Sequence, residues 1–163
     1  MKNILALVFI LSIAVGAQAQ SINWVTLSKA QELAVQDGKK VMLFAEAEWC
    51  GYCQKMYEQV FPEQSVQDSL SKYFYPVRID IESEEMVILN GKEYSERDLA
   101  RKFRATRTPT TIFLDSEGST IGAQPGFLPA KIFDKLLSFV GSDLTGKKSF
   151  SKYLSEHGVE VGQ

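Results

Sequence analysis

Both cysteines of the chain stand in one stretch, Trp49-Cys50-Gly51-Tyr52-Cys53, placed where an apolar run from Val41 to Ala47 gives way to a helix-like pattern. Val41-Met42-Leu43-Phe44-Ala45 reads as a buried strand, and Cys53, Met56, Tyr57 and Val60 recur at helical spacing. A strand that runs into a helix with two thiols at the junction leaves little freedom for the local fold. It puts Cys50 at the first turn of the helix, where unpaired N–H groups and the positive end of the helix dipole favour a thiolate. Cys53, one turn further in, is expected to face the helix interior and to be less accessible than Cys50.

Two thiols at this spacing can close into a small disulfide ring and reopen it, so the chain can carry two electrons without a cofactor. The expected division of labour is asymmetric. Cys50 attacks a partner's disulfide or is attacked, and Cys53 resolves the mixed disulfide. A zinc site would need about four ligands, and beyond this pair only His157 offers a nitrogen donor. A purely structural disulfide would close too short a loop to restrain much of the unfolded chain. Neither a metal nor a cofactor is expected.

Compartment sets the direction of thiol chemistry, and the first residues speak to it. Lys2 precedes an apolar run from Ile4 to Val15, and Ala17-Gln18-Ala19 follows as a small-x-small cleavage site, so residues 1–19 read as a secretory signal peptide. The alternative is a membrane anchor that is never cut. Cleavage would start the mature chain at Gln20 in an oxidising space, periplasmic or secreted, with no stable membrane insertion. The formal net charge is −2, or −3 once Lys2 is removed with the leader. Its charges are interspersed without a basic run, which gives no footing for nucleic acid.

Ile22 to Val25 reads as a short edge strand. Ser28 then opens a helix with Gln31 completing a capping box, and Gly38 closes it. The central strand and the helix from about Cys50 to Phe61 follow, with Pro62 at the helix stop. A short helix over 63–72 leads into a strand from Pro76 to Ile81. Residues 82–94 read as a polar, acidic insertion with a central Met86-Val87-Ile88-Leu89 patch and an Asn90-Gly91 turn signal. Ser95 caps a helix to about Arg104; Thr110 to Asp115 and Ser119 to Gln124 form a hairpin about Ser116-Glu117-Gly118. Leu128 to Val140 is a long amphipathic helix, and the tail over 142–163 holds a short helical segment around Phe150, Tyr153 and Leu154. That segment either packs on the domain or offers a docking patch.

This order gives an α/β fold with a mixed central sheet and helices on both faces. From Ile22 to at least Val140 the chain resembles the thioredoxin-fold family, and is similar to exported members that include the carboxy-terminal domains of disulfide-interchange reductases. The landmarks are Glu48-Trp49-Cys50-Gly51-Tyr52-Cys53, Arg107-Thr108-Pro109-Thr110 ahead of a strand, and Gly126 after the hairpin. The resemblance implies a single domain over 20–141, a cis bond before Pro109, and a shallow substrate groove around Cys50 lined by Trp49, Thr108, Pro109 and Gly126. It implies protein disulfide or dithiol substrates, a separate redox partner that resets the pair, and a monomer. A reductase is the favoured reading, with a non-catalytic adaptor or a disulfide isomerase as alternatives.

The chain departs from the family at one chemically important place. Thioredoxins carry a buried aspartate six residues before the first cysteine, and here that position is Phe44. Glu46, on the same strand face by period two, is the nearest carboxylate in sequence that could relay a proton, with Arg78 as its expected partner. A solvated glutamate at the strand end is the competing reading.

Overall fold

Two apolar faces on one strand set the architecture. In the computed structural model, which describes residues 22–160, Lys40–Glu46 forms a strand whose Met42 and Phe44 enter one buried cluster while Val41, Leu43 and Ala45 enter another. Successive side chains on a strand point to opposite faces, so a run apolar at every position needs cover on both sides. In chain order the elements are α1 (Leu27–Asp37), β1 (Lys40–Glu46), α2 (Gly51–Gln59), α3 (Gln64–Tyr73), β2 (Phe74–Asp80), β3 (Met86–Leu89), β4 (Lys92–Ser95), α4 (Glu96–Lys102), β5 (Thr110–Leu114), β6 (Thr120–Pro125), α5 (Ala130–Gly141) and α6 (Phe150–Glu156). Residues of α2, α3, α5 and α6 join the cluster around Phe44, and residues of α1, β3 and α4 join the one around Leu43.

The main sheet runs in the order β2-β1-β5-β6. β1 pairs parallel with β2 and antiparallel with β5, which in turn pairs antiparallel with β6. This is the mixed, doubly covered sheet that the sequence implied. Among the described residues no helix is long and apolar enough to cross a membrane. The expected leader, residues 1–19, lies outside the described residues.

Several local expectations need correction. Ile22 to Val25 is not a strand; the segment makes one ladder-like bond, Val25 N to Pro76 O at 3.0 Å. Pro76 has no N–H to return, so pairing cannot propagate along that edge of β2. α1 starts at Leu27 rather than at Ser28, because the Thr26 hydroxyl accepts from Lys29 N at 3.3 Å and serves as the cap. Gly38 ends it with φ 67°, as its sequence position suggested.

Residues 82–94 are more ordered than an insertion of polar residues would suggest. β3 and β4 form a second, two-stranded antiparallel sheet joined by Asn90 and Gly91, both at positive φ (51° and 75°). Two consecutive left-handed residues give a turn whose twist matches the flanking strands. The hairpin is seated on α1: Gln31 Oε1 accepts from Asn90 N at 3.2 Å, and Leu89 is buried beside Leu27 and Ala30.

The tail segment packs. Phe139 of α5 meets Phe150 at 5.4 Å and Tyr153 at 5.3 Å between ring centroids, and Tyr153 and Leu154 are buried. Aromatic pairs at such spacing add about 0.5–1.5 kcal/mol each beyond area burial.

Candidate active site

Residues of the candidate site gather at one end of the main sheet. β1 ends at Glu46, and the chain turns through Ala47, Glu48 and Trp49 into α2, whose N-cap is Cys50. The register Ala45↔Thr110 sets the Thr108-Pro109 turn alongside this end of β1, and Thr110↔Pro125 brings Gly126 next to Pro109. Gly126 N donates to Pro109 O at 2.7 Å, with Gly126 at φ 88°, a backbone conformation that side-chain-bearing residues rarely take. The Thr108–Pro109 peptide bond is cis.

Cys50 and Cys53 form a disulfide with their Cα atoms 5.2 Å apart. Cys50 precedes the helix as its N-cap instead of lying within its first turn. Its backbone is extended, and its Sγ accepts from Cys53 N at 3.1 Å. The same N–H also donates to Cys50 O at 3.0 Å, so a shared helical N–H points at the sulfur, an arrangement that favours negative charge on a leaving thiolate there.

The expectation that Cys50 would be the exposed member is not met. Cys50 is 4% exposed and Cys53 3%, so accessibility does not separate them. Both join the buried cluster that also holds Met42, Phe44 and Met56. What distinguishes them is backbone position: one caps the helix and the other lies inside it.

Trp49 stands out from the surface at 66% exposure, and its indole Nε1 donates to Glu82 Oε2 at 3.0 Å. Tyr52 is also exposed and meets Phe127 at 6.1 Å between ring centroids. Thr108 Oγ1 is buried without a hydrogen-bond partner among the described residues. Aromatic side chains held this openly flank the cysteine pair and supply apolar contact area that a folded monomer usually hides.

Behind the pair, Phe44 is fully buried in an aromatic nest with Trp24, Tyr57 and Phe61, at centroid distances of 6.2, 5.9 and 5.1 Å. Glu46 follows it on the same face. Its side chain is 20% exposed, Tyr57 donates to its Oε2 at 2.7 Å, and Arg78 Nη1 lies 3.9 Å from its Oε1. Burial pushes the Glu46 carboxyl above its ordinary value, opposed by the Tyr57 hydrogen bond and the Arg78 charge. The Tyr57 phenol is pushed up in turn, by burial first and then by Glu46, so it stays protonated and can only donate to the carboxylate. A cavity of about 240 Å³ is lined by Glu46, Cys50, Cys53 and Tyr57.

Sequence reasoning brought Cys50, Cys53, Trp49, Thr108, Pro109, Gly126, Glu46 and Arg78 forward, and the fold places all of them at this end of the sheet. It missed three side chains. By spacing Tyr57 belongs to the apolar helix face, and its i,i+4 distance from Cys53, which puts its ring over the same side of α2, is the signal that could have found it. Glu82 was absorbed into the expected insertion, and Phe127, next to Gly126, carried no signal of its own.

The thioredoxin-like domain family matches residues 27–141. Disulfide bond reductase DsbH of Chlamydia pneumoniae is 25% identical over 112 residues, covering 68% of this chain and 66% of its own length. Thiol:disulfide interchange protein DsbD of Actinobacillus pleuropneumoniae is 31% identical over 115 residues, covering 66% of this chain and 18% of its own. The chain therefore spans just under two thirds of the first relative and less than a fifth of the second. A thioredoxin from Thermus thermophilus, known from its solution structure, superposes with a TM-score of 0.59 at 28% identity, over 74% of this chain and 88% of that one. Sheet order, the capping cysteine pair and the sequence match agree: the chain belongs to the thioredoxin-like domain family.

Proposed function

We propose that the protein is an extracytoplasmic thiol–disulfide oxidoreductase, working as a reductase of disulfides in other proteins. The observation that carries this reading is the Cys50–Cys53 pair closed at the N-cap of α2, with a helical N–H directed at the Cys50 sulfur. In the reduced protein the Cys50 thiolate attacks one sulfur of a substrate disulfide and forms a mixed disulfide, releasing the other as a thiolate. Cys53 then attacks Cys50, closes the pair and frees the substrate's second sulfur. Two electrons move from the cysteine pair to the substrate, so a separate dithiol partner must reduce the pair for another turnover.

Trp49, Thr108, Pro109 and Gly126 form the substrate groove in this reading. An extended substrate segment pairs with the backbone at Thr108, while Trp49 covers its side chains. A groove that reads backbone chooses substrates by surface fit. The resemblance to exported reductases and the leader-like residues 1–19 support a periplasmic or secreted location, with residues 20–141 as the catalytic domain and a monomeric mature form. The reductase direction draws on the likeness to DsbH, a disulfide bond reductase.

Insulin reduction with dithiothreitol as the electron source tests the assignment. The mature protein should accelerate precipitation of the insulin B chain, and Cys50→Ser should return the rate to that of dithiothreitol alone. Equal rates in the two proteins would instead identify an adaptor whose cysteine pair is not used. The reduction potential against glutathione tests direction: about −270 mV accords with a reductase, and about −120 mV with an oxidant.

A further inference from the structure

Closing the Cys50–Cys53 pair requires Cys53 to lose its proton, and the aromatic ring of Phe44 cannot take it. We propose that Glu46, held in place by the Tyr57 hydroxyl, accepts the Cys53 proton from a position two residues further along β1. This deepens the exchange reading and rests on it.

Three observations carry it. Period two on β1 puts Glu46 on the face covered by α2, the helix that carries Cys53 and Tyr57. The cavity of about 240 Å³ has Glu46, Cys53 and Tyr57 in its wall, with volume for water to bridge sulfur and carboxylate. Glu46 is also fixed in place, by the 2.7 Å bond from Tyr57 on one oxygen and by Arg78 at 3.9 Å on the other. The remaining carboxylates of that wall are less suited. Glu48 is exposed, and the bond that Asp80 Oδ1 accepts, from Glu82 N at 2.8 Å, lies within its own turn, whereas Glu46 is bonded to α2 itself through Tyr57.

The groups facing Glu46 balance its charge without abolishing its basicity. Tyr57 on α2 and Arg78 on β2 favour the carboxylate, while burial and Asp80 on β2 favour the acid. The outcome is a carboxyl that holds a proton more readily than an ordinary glutamate, as a group that must both take and return one requires. On its other side Glu46 lines a second surface cavity of about 710 Å³ with Trp24, Arg78 and Asp80, which gives the proton a way out to solvent.

The step balances as follows. The Cys53 S–H bond breaks, and its proton passes through water to the Glu46 carboxylate. The Cys53 thiolate forms the S–S bond to Cys50 as the bond between Cys50 and the substrate sulfur breaks. That sulfur leaves with the electron pair and takes its proton from solvent, and Glu46 later yields its own to solvent. Tyr57 is a positioning residue, acting through Glu46.

The reduced protein mixed rapidly with dithio-bis-nitrobenzoate separates the two steps. Attack by Cys50 releases a first nitrobenzoate thiolate in a phase that depends on reagent concentration. Resolution by Cys53 releases a second in a phase that does not. In Glu46→Gln the first phase should persist, whereas the second should slow by about 100-fold at neutral pH and lose its acid-side inflection. In Tyr57→Phe the second phase should keep its inflection but shifted to higher pH, because the bond that lowers the Glu46 pKa is gone. A second phase in Glu46→Gln with wild-type rate and pH profile overturns the proposal. Absence of the first phase in the wild-type protein would overturn the exchange reading itself, so the two failures are distinct.

Discussion

The Tyr57 hydroxyl donates to Glu46 Oε2 at 2.7 Å, tying the helix that Cys50 caps and Cys53 lies in to the last residue of the central strand. One bond therefore links the element that carries the sulfurs to the sheet that positions the substrate loop. Glu46 bears the cost, because its carboxylate is held where burial disfavours charge.

That cost gives a pH-dependent stability prediction. The folded pKa of Glu46 is raised, so its contribution to stability is fully present below the ordinary carboxylate value of 4.5 and is lost as pH rises through the raised value. Glu46→Gln removes the charge and leaves an oxygen for Tyr57. The variant should have a higher urea midpoint than the wild type at neutral pH, and the advantage should vanish below about pH 4.5. A lower midpoint at neutral pH would mean that the charged pairing with Arg78 outweighs burial.

Trp49 should matter for substrate and hardly for stability, since 66% of it is exposed. Trp49→Ala is expected to reduce kcat/KM for insulin about tenfold, equivalent to about 1.4 kcal/mol of binding. The rate with a small disulfide that does not fill the groove should change little. Equal losses on both substrates would place Trp49's role in the sulfur chemistry.

Much of this organisation is legible in the sequence because the period of the apolar residues is unambiguous. Val41 to Ala45, apolar at every position and too short for a helix, reads as a buried strand, and the helical spacing of Cys53, Met56, Tyr57 and Val60 places the helix start to within a residue. Gly38 and Ser95 close and open helices where their chemistry says they should. The failures have physical causes. Thr26 outcompeted Ser28 as a cap by a tertiary choice that seats Leu27 in the core. Pro76 cancelled the edge strand through a missing donor on another segment. The β3–β4 hairpin carries an apolar run, Met86 to Leu89, and the Asn90-Gly91 turn signal, but acidic residues flank them and only Leu89 of β3 is buried, so the segment still reads as a solvated insertion. Tyr57's hydroxyl was invisible because helical spacing reports only the ring.

Phe44 replaces an acid with the centre of an aromatic nest, and the nest should depend on it. Phe44→Ala is expected to destabilise the protein by about 3–5 kcal/mol in urea unfolding, the range for large-to-small changes at fully buried aromatic positions. A loss below about 1 kcal/mol would show that Trp24, Tyr57 and Phe61 close over the vacancy.

Gly141, at the end of α5, lies against Tyr73, and a Cβ there would collide with the base of that ring. Gly141→Ala gains helix propensity yet must displace Tyr73, so a net destabilisation of about 1–3 kcal/mol is expected. An increase in melting temperature would show that the α3–α5 contact yields easily.

Attack by Cys50 and release by Cys53 make one claim that a covalent trap examines directly. The Cys53→Ala variant, reduced and then incubated with a protein disulfide substrate, should accumulate a substrate adduct on Cys50, read by intact mass and cleared by dithiothreitol, while Cys50→Ala should accumulate none. A Cys53→Ala protein that stays free of adduct, or adducts of equal yield in both variants, would contradict the exchange mechanism.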